Sequence, residues 1–308
     1  METRENKYLI VIVGPTAIGK TAMAIEIAKY FNCEIISADS RQFFKEMSIG
    51  TAVPSEEEIK AVPHHFIQNK SIFEQYTVGD FEREALQKLN DLFKENNFSV
   101  MVGGSGLYID AALKGFDDFP DIEPSVRENL IKQYEAFGIE FLQEKLKELD
   151  PVHYNKVALQ NPQRLMRALE VCISTGKPYS SFLNIRSNTR DFIPILVGIG
   201  AEREIMYNRI NKRVDIMVES GLLEEAKNLY THKKLNALQT VGYRELFSYF
   251  DGEFTLDFAI EEIKKNTRRF AKRQITWFKR NHEITWFDYS TAPQDIIQHI
   301  KNNSNAHS

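Results

Sequence analysis

Cysteine is nearly absent. Cys33 and Cys172 are the only two in 308 residues, and they lie far apart without C-x-x-C spacing. This argues against a disulfide framework or a cysteine-based zinc site and points to a reducing cytoplasm. No apolar run approaches the ~20 residues that a membrane helix requires, so no membrane association is expected. The opening stretch "METRENKYLI" is charged and leads straight into a strand-like run, so no signal peptide is expected. Internal repeats and low-complexity tracts are also missing. No sign of charge dominates overall, with 39 Lys and Arg against 43 Asp and Glu, a net charge of −4. What remains is 43% hydrophobic and 27% charged, ordinary for a globular chain of one large or two smaller domains.

Charge is nonetheless unevenly spread. Residues 261–280 hold eight basic residues against Glu261 and Glu262, a local charge of +6 that leaves −10 on the rest. A basic strip on an acidic chain suits a polyanionic partner; a solvated helix face is the alternative.

Four apolar runs read as buried strands: residues 8–13, 34–37, 98–102 and 193–199. Amphipathic helices separate the first three, one after Lys20 and one capped by Asp80, which predicts a parallel α/β sheet. Residues 119–190 show no convincing strand and several helices. One of these is framed by Asn161 as N-cap, Pro162 at the first helical position and Gly176 as stop. The expected organisation is a core of residues 1–118 and 191–308 with a helical insertion at 119–190. The closing "KNNSNAHS" reads as disordered.

"GPTAIGKT" (Gly14, Pro15, Thr16, Ala17, Ile18, Gly19, Lys20, Thr21) matches G-x-x-x-x-G-K-[ST] between a strand and a helix. Glycines let successive amides turn inward, and the helix N-terminus adds positive potential. Lys20 would neutralise phosphate oxygens, and Thr21 would offer its hydroxyl to magnesium. The motif specifies a polyphosphate without specifying ATP.

Ligands of open α/β sheets bind beyond the carboxyl ends of the strands. "ADSRQFF" after the second run puts Asp39 there, as metal ligand, general base or simple cap. After the third run comes "GGSGLY" (Gly103–Tyr108). A nucleotide hydrolase would place an acid at that point; here glycines and Ser105 suit a hydroxyl and amides holding a leaving group, or merely a tight turn. "PHHF" (Pro63–Phe66) is a poor chelate, because adjacent histidines in extended chain face opposite ways. It reads as structural or substrate-positioning, and no zinc is expected. Along the helix from Pro162, Leu165, Ala168, Leu169 and Cys172 form the apolar stripe. Arg167 points nearly opposite, Gln163 lies well away and Arg164 flanks. Arg244 in "QTVGYRE" reads as a buried anchor or a substrate contact. Trp277 and Phe278 read as core, with base stacking the alternative.

Together these motifs, from "GPTAIGKT" through "IISADSRQ", "IGTA", "PHH", "GGSGLY", "NPQRLMRALE" and "VGYRE" to "RRFAKRQITWF", occur in that order over residues 14–278. The chain closely resembles the bacterial tRNA dimethylallyltransferases, also called tRNA isopentenyltransferases. The resemblance implies a P-loop kinase-like core with a helical insertion and a helical C-terminal region. It implies transfer of a dimethylallyl group from dimethylallyl diphosphate to the exocyclic amine of the adenosine 3′ of the anticodon, with Mg2+. The phosphate loop would then hold the diphosphate of the donor. By motif, Asp39 matches the proton acceptor, and Ser105 stands where the family usually has a threonine that assists departure of diphosphate. Ser40, Arg41 and Gln42 match the segment touching the target nucleotide. Arg127 and the stretch Gln163, Arg164, Leu165, Met166 and Arg167 match tRNA contacts of the insertion. Gln239, Gly242, Tyr243, Arg244, Lys272, Arg273, Gln274 and Lys279 match further tRNA contacts, to the anticodon arm. A monomer in the cytoplasm is expected. The chain departs from the family at Phe44, Val53 and Gln163, where Tyr, Lys and a basic residue are usual, and it lacks the eukaryotic members' zinc finger. Competing readings are a P-loop small-molecule kinase, an isopentenyltransferase acting on free adenine nucleotides, and a non-catalytic RNA-binding protein.

Overall fold

In the computed structural model of the chain, the run at residues 8–13 forms β1 (Tyr8–Val13), buried along its whole length. The structure describes residues 6–115, 117, 119–120, 122–183 and 189–306. After β1 come α1 (Lys20–Phe31), β2 (Ile35–Ser37), α2 (Glu56–Ala61), β3 (His64–His65), α3 (Val78–Glu95), β4 (Phe98–Gly103) and α4 (Gly106–Lys114). Next follow α5 (Pro124–Phe137), α6 (Ile139–Leu149), α7 (Pro151–Tyr154) and α8 (Pro162–Thr175). The chain then forms β5 (Ile193–Gly200), α9 (Arg203–Glu219), α10 (Leu222–Leu229), α11 (Tyr243–Phe250), α12 (Leu256–Phe278), β6 (Thr285–Asp288) and α13 (Pro293–Ala306).

Two units divide the chain. The larger comprises residues 1–113 and 190–308, the smaller residues 114–189. In the larger, the described strands make one parallel sheet in the order β3-β2-β4-β1-β5-β6. A parallel sheet must be covered on both faces, which is why β1 is apolar throughout rather than alternating. Ile10, Ile12, Val100 and Val197 pack on one face with Ala24, Ile27 and Ile300 of α1 and α13. Leu9, Val11 and Met101 pack on the other with Phe81, Ala85 and Leu89 of α3. A third cluster joins α9 to α12 around Leu222, Leu246, Phe247 and Ile263. In the smaller unit, Leu130, Leu142, Leu146, Leu165 and Leu169 form the core of a helical array.

Helix α8 carries the expected frame: the Asn161 side chain accepts from the Arg164 N–H, Pro162 is at the first position and Gly176 ends it in the left-handed region. Three expectations are corrected. The N-cap of α3 is Thr77, not Asp80; Asp80 is the third helical residue and accepts in return from the Thr77 N–H, a reciprocal capping box. The stretch Lys301–Ala306 is the end of α13, held to the sheet by Ile296, Ile297 and Ile300; His307 and Ser308 lie outside the described residues. Two strands escape the apolar-run criterion, β3 and β6, because each is short and at a sheet edge.

Candidate active site

The loops leaving the carboxyl ends of β1, β2 and β4 converge. Gly14 has φ +150°, and a Cβ there would lie 2.3 Å from the Ile199 carbonyl oxygen, so only glycine fits. Gly19 has φ +106° and caps α1. Between them Ala17 sits in the left-handed region at φ +64°, a local cost of order 1–3 kcal/mol that the surrounding contacts must offset. The Arg209 Nε of α9 donates to the Ala17 carbonyl at 2.9 Å, and the Lys20 Nζ donates to the Pro15 carbonyl at 2.7 Å. Burial and the neighbouring Arg213 guanidinium pull the Lys20 pKa down to about 7, against the opposing effect of Asp39. Lys20 is thus poised beside the Arg213 guanidinium with the Asp39 carboxylate for balance, an arrangement that favours arrival of a polyanion.

The glycines of "GGSG" answer to close approach. A Cβ on Gly103 would lie 2.3 Å from the Ala38 carbonyl oxygen at the end of β2. One on Gly104 would lie 2.2 Å from the Gln274 Nε2, and one on Gly106 would press into the Trp277 indole. Removing side chains here lets β4 abut β2 and α12. Ser105 directs its Oγ to Ser40, accepting from the Ser40 N–H at 3.0 Å with the two hydroxyls 3.1 Å apart. Asp39 accepts from the Arg41 N–H at 3.0 Å. Ser105 thereby contacts the residue that follows Asp39.

Two cavities meet at Asp39. The smaller, about 70 Å³, is walled by the phosphate loop (Thr16, Lys20, Thr21) with Ser37, Asp39, Gln42, His64, Gly104 and Arg213. The larger, about 320 Å³, is polar at Asp39, Ser40, Arg41, Gln239, Arg244 and Arg273. It is apolar where Ile210, Val214, Met217, Leu222, Ile263 and Phe270 line it. Thr16, Asp39, Arg213 and Phe270 belong to both walls. A carboxylate therefore stands between the phosphate-loop recess and an apolar-walled chamber.

Several residues expected to touch RNA do other work. Leu165 and Met166 are buried in the core of the smaller unit, so their side chains cannot reach a ligand. Tyr243 is 0% exposed; its hydroxyl donates to the Glu225 Oε1 at 2.7 Å. Gln274 is buried and stitches α12 to the site, its Oε1 accepting from the Thr16 N–H at 2.9 Å and its Nε2 donating to the Gly104 carbonyl at 3.0 Å. The Gln42 amide is consumed by the Thr51 and Ala52 carbonyls and the Ser37 hydroxyl. Trp277 and Phe278 are packing residues, as the sequence reading favours, with the Trp277 Nε1 donating to Asp110 at 2.8 Å. Gly242 caps α11 at the chamber wall, its N–H donating to the Glu245 Oε2 at 2.8 Å.

The cations separate into two kinds. On α12, Lys264 pairs with Asp215 and Glu261, Lys265 with Glu262, and Arg268 donates to Asn211. Lys272, Arg273 and Lys279 are exposed, with no carboxylate partner among the described residues. Gln239 and Arg244 are exposed at the chamber rim, while Arg41 reaches the Asn236 and Ala237 carbonyls, both at 2.9 Å. In the smaller unit, Gln163, Arg164 and Arg167 are exposed on α8. The buried Glu170 carboxylate holds Arg127 at 2.6 Å and Arg167 at 3.4 Å, and Arg127 also donates to the Gln163 Oε1 at 2.8 Å.

Sequence reasoning missed Arg209 and Arg213. Their spacing of four on one helix directly after β5 was the available signal. Glu225 was also missed. Its carboxylate accepts from the N–H groups of Ser48, Ile49 and Gly50 at 2.8–3.0 Å, 175 or more residues away in sequence, and no local pattern marks that.

Comparison with known proteins gives a consistent answer. The family model described as IPP transferase matches residues 42–281. A tRNA dimethylallyltransferase of Flavobacterium johnsoniae is 66% identical over 303 residues, covering 96% of this chain and 98% of that protein. One from Christiangramia forsetii is 57% identical, covering 97% and 99%. Among solved structures, the full-length tRNA isopentenylpyrophosphate transferase of Bacillus halodurans superposes with a TM-score of 0.71 at 36% identity, covering 98% of this chain and 96% of the other. A eukaryotic dimethylallyltransferase captured acting on tRNA gives 0.81 at 27% identity, covering 96% and 80%.

Proposed function

The chain belongs to the IPP transferase family, and from that membership we propose that it moves a dimethylallyl group from dimethylallyl diphosphate onto tRNA. The acceptor is the exocyclic amine of the adenosine 3′-adjacent to the anticodon, and diphosphate is released. The observation that carries this reading is Asp39 standing between the phosphate-loop recess and the apolar-walled chamber. A small-molecule kinase leaves the chamber and the cationic helix faces without a use. The described part of the chain has no helix long and apolar enough to cross a membrane. Action on tRNA in the cytoplasm, as a monomer, is part of the proposal.

The adenine amine is a weak nucleophile, since its lone pair is delocalised into the ring. An allylic diphosphate compensates by ionising readily. In the transfer the amine nitrogen bonds to the allylic carbon, the carbon–oxygen bond breaks, and diphosphate leaves with the electron pair. Lys20, the phosphate-loop amides and the Arg209 and Arg213 guanidinium groups stabilise the charge growing on diphosphate. Gln274 supports that loop through its bond to Thr16. Asp39 orients the amine and takes its proton. Ser105 acts from beside Ser40. The recess offers oxygen donors of the kind a hard cation takes, and Mg2+ held by the Thr21 hydroxyl and diphosphate oxygens would add charge neutralisation. Arg127, Gln163, Arg164, Arg167, Lys272, Arg273 and Lys279 would hold the anticodon arm through phosphates and RNA shape, with Ser40, Arg41, Gln239 and Arg244 nearer the flipped base.

Incubation with Mg2+, labelled dimethylallyl diphosphate and unmodified tRNA tests the reading. Label is expected in RNA, and Asp39→Ala is expected to lose transfer while retaining tRNA binding. Phosphate transfer from ATP without alkylation of tRNA would overturn it.

A further inference from the structure

His64 and His65 form β3, and their side chains diverge as strand alternation requires. His65 turns to Glu34, with its Nε2 2.6 Å from the carboxylate. His64 turns to the phosphate-loop recess, where it shares the wall with Lys20, Thr21, Asp39 and Arg213. Its Nδ1 lies 2.8 Å from the Val62 carbonyl oxygen. A carbonyl only accepts, so Nδ1 carries a proton. Its Nε2 is buried and has no hydrogen-bond partner in the chain. Leaving a buried polar nitrogen unpaired costs about 1–3 kcal/mol, which is tolerated where a ligand completes the pairing.

The ring's surroundings set its charge in the free protein. Burial pulls the His64 pKa below the usual histidine range, and His65 adds to this, while the Val62 carbonyl and Glu58 of α2 oppose it. Across the recess, Lys20 and Arg213 disfavour a further cation and Asp39 favours one. His64 is therefore neutral when the recess holds no anion, with a bare lone pair at Nε2.

A diphosphate ester brings only acceptor oxygens and several negative charges. If a phosphate oxygen comes to Nε2, both ring nitrogens meet acceptors, Val62 on one side and phosphate on the other. Only the imidazolium donates from both. We propose that His64 is a further donor-binding residue, which takes a proton from solvent as the diphosphate arrives and donates its Nε2–H to a phosphate oxygen. The N–H formed on binding is returned to solvent when diphosphate departs, so the cycle balances. The contact adds to the charge holding the leaving group and makes the affinity of the recess respond to an anion rather than to a neutral ligand. This proposal rests on the recess being the diphosphate site.

Histidine-selective 15N labelling with long-range 1H–15N correlation reads both ring nitrogens directly, and His64→Gln or His64→Asn identifies the His64 signals by their loss. In the free protein near pH 7.5, Nδ1 is expected in the protonated range and Nε2 in the unprotonated range. Saturation with inorganic diphosphate and Mg2+ should move both nitrogens to the imidazolium range. In the transfer assay, His64→Ala should raise KM for dimethylallyl diphosphate about tenfold or more while KM for tRNA stays within about twofold. Gln, which keeps a donor, should recover part of the loss. An Nε2 that stays unprotonated at saturating diphosphate, or an unchanged donor KM, overturns the proposal. Absence of tRNA alkylation by the wild-type protein would instead overturn the proposed function, and the diphosphate titration would still decide the role of His64.

Discussion

Replacing Glu225 by glutamine should cost more stability than its near-identical shape suggests. Four donors converge on the two carboxylate oxygens. Ser48 and Ile49 donate to Oε2 at 3.0 and 2.8 Å, Gly50 and the Tyr243 hydroxyl to Oε1 at 2.8 and 2.7 Å. Glutamine turns one oxygen into a donor. The less damaging orientation points the amide nitrogen at Tyr243, whose hydroxyl can rotate to accept, and leaves the Gly50 N–H facing a donor. An orphaned N–H costs about 1–3 kcal/mol, and two remaining bonds lose their charge assistance at roughly 0.5–1 kcal/mol each. The expected total is about 3 kcal/mol. Glu225→Ala should cost about 4 kcal/mol, limited because water can reach part of a half-buried loop. The loop packs closely on Tyr243, whose ring would lie 2.6 Å from a Cβ at Gly50. Gly50 and Thr51 line the chamber, so kcat should fall about tenfold with KM for tRNA little changed. Urea unfolding monitored at constant m-value, with transfer kinetics alongside, measures both. A loss below about 1 kcal/mol for Glu225→Gln would refute the reasoning, as would alanine being the milder change.

Lys20→Met should stabilise the ligand-free protein while abolishing transfer. The folded-state pKa of Lys20 is depressed to about 7, so between about pH 7 and 10.5 the unfolded chain holds more protons and stability rises with pH; methionine removes that slope, readable as Tm against pH. Gly103→Ala should cost about 3 kcal/mol or more and reduce transfer, because the new methyl meets the Ala38 backbone rather than a movable side chain; a Tm within about 2 °C of wild type would contradict this. Lys272→Ala should weaken tRNA binding uniformly across tRNAs and lower the slope of log K against log salt by about 0.7–1, whereas Lys264→Ala, already paired with Asp215 and Glu261, should do less. Equal effects from the two would argue against the division of the cationic face.

The phosphate loop, the α/β alternation, the helical stretch between β4 and β5 and the frame of α8 were all legible in the sequence. Each depends on local chemistry: glycine where φ is positive, proline where an N–H is dispensable, a side-chain cap, or the period of apolar residues. The position of Asp39 beyond β2 was legible for the same reason, since strand ends in a parallel sheet have a known use.

Roles were less legible than positions. Tyr243 and Gln274 sit in motifs that suggested RNA contact, yet one is core and the other a brace for the phosphate loop. Lys264 and Lys272 look alike in sequence, and only one has an acid across the groove. Arg213 and His64 enter the recess from α9 and β3, elements far from the loop in the chain. Sequence by itself determined where the backbone turns and which face is apolar, because those preferences act over a few residues. Which polar groups are buried, paired or left facing a cavity was decided only by the tertiary structure, because their partners lie up to 296 residues away and desolvation depends on everything packed around them.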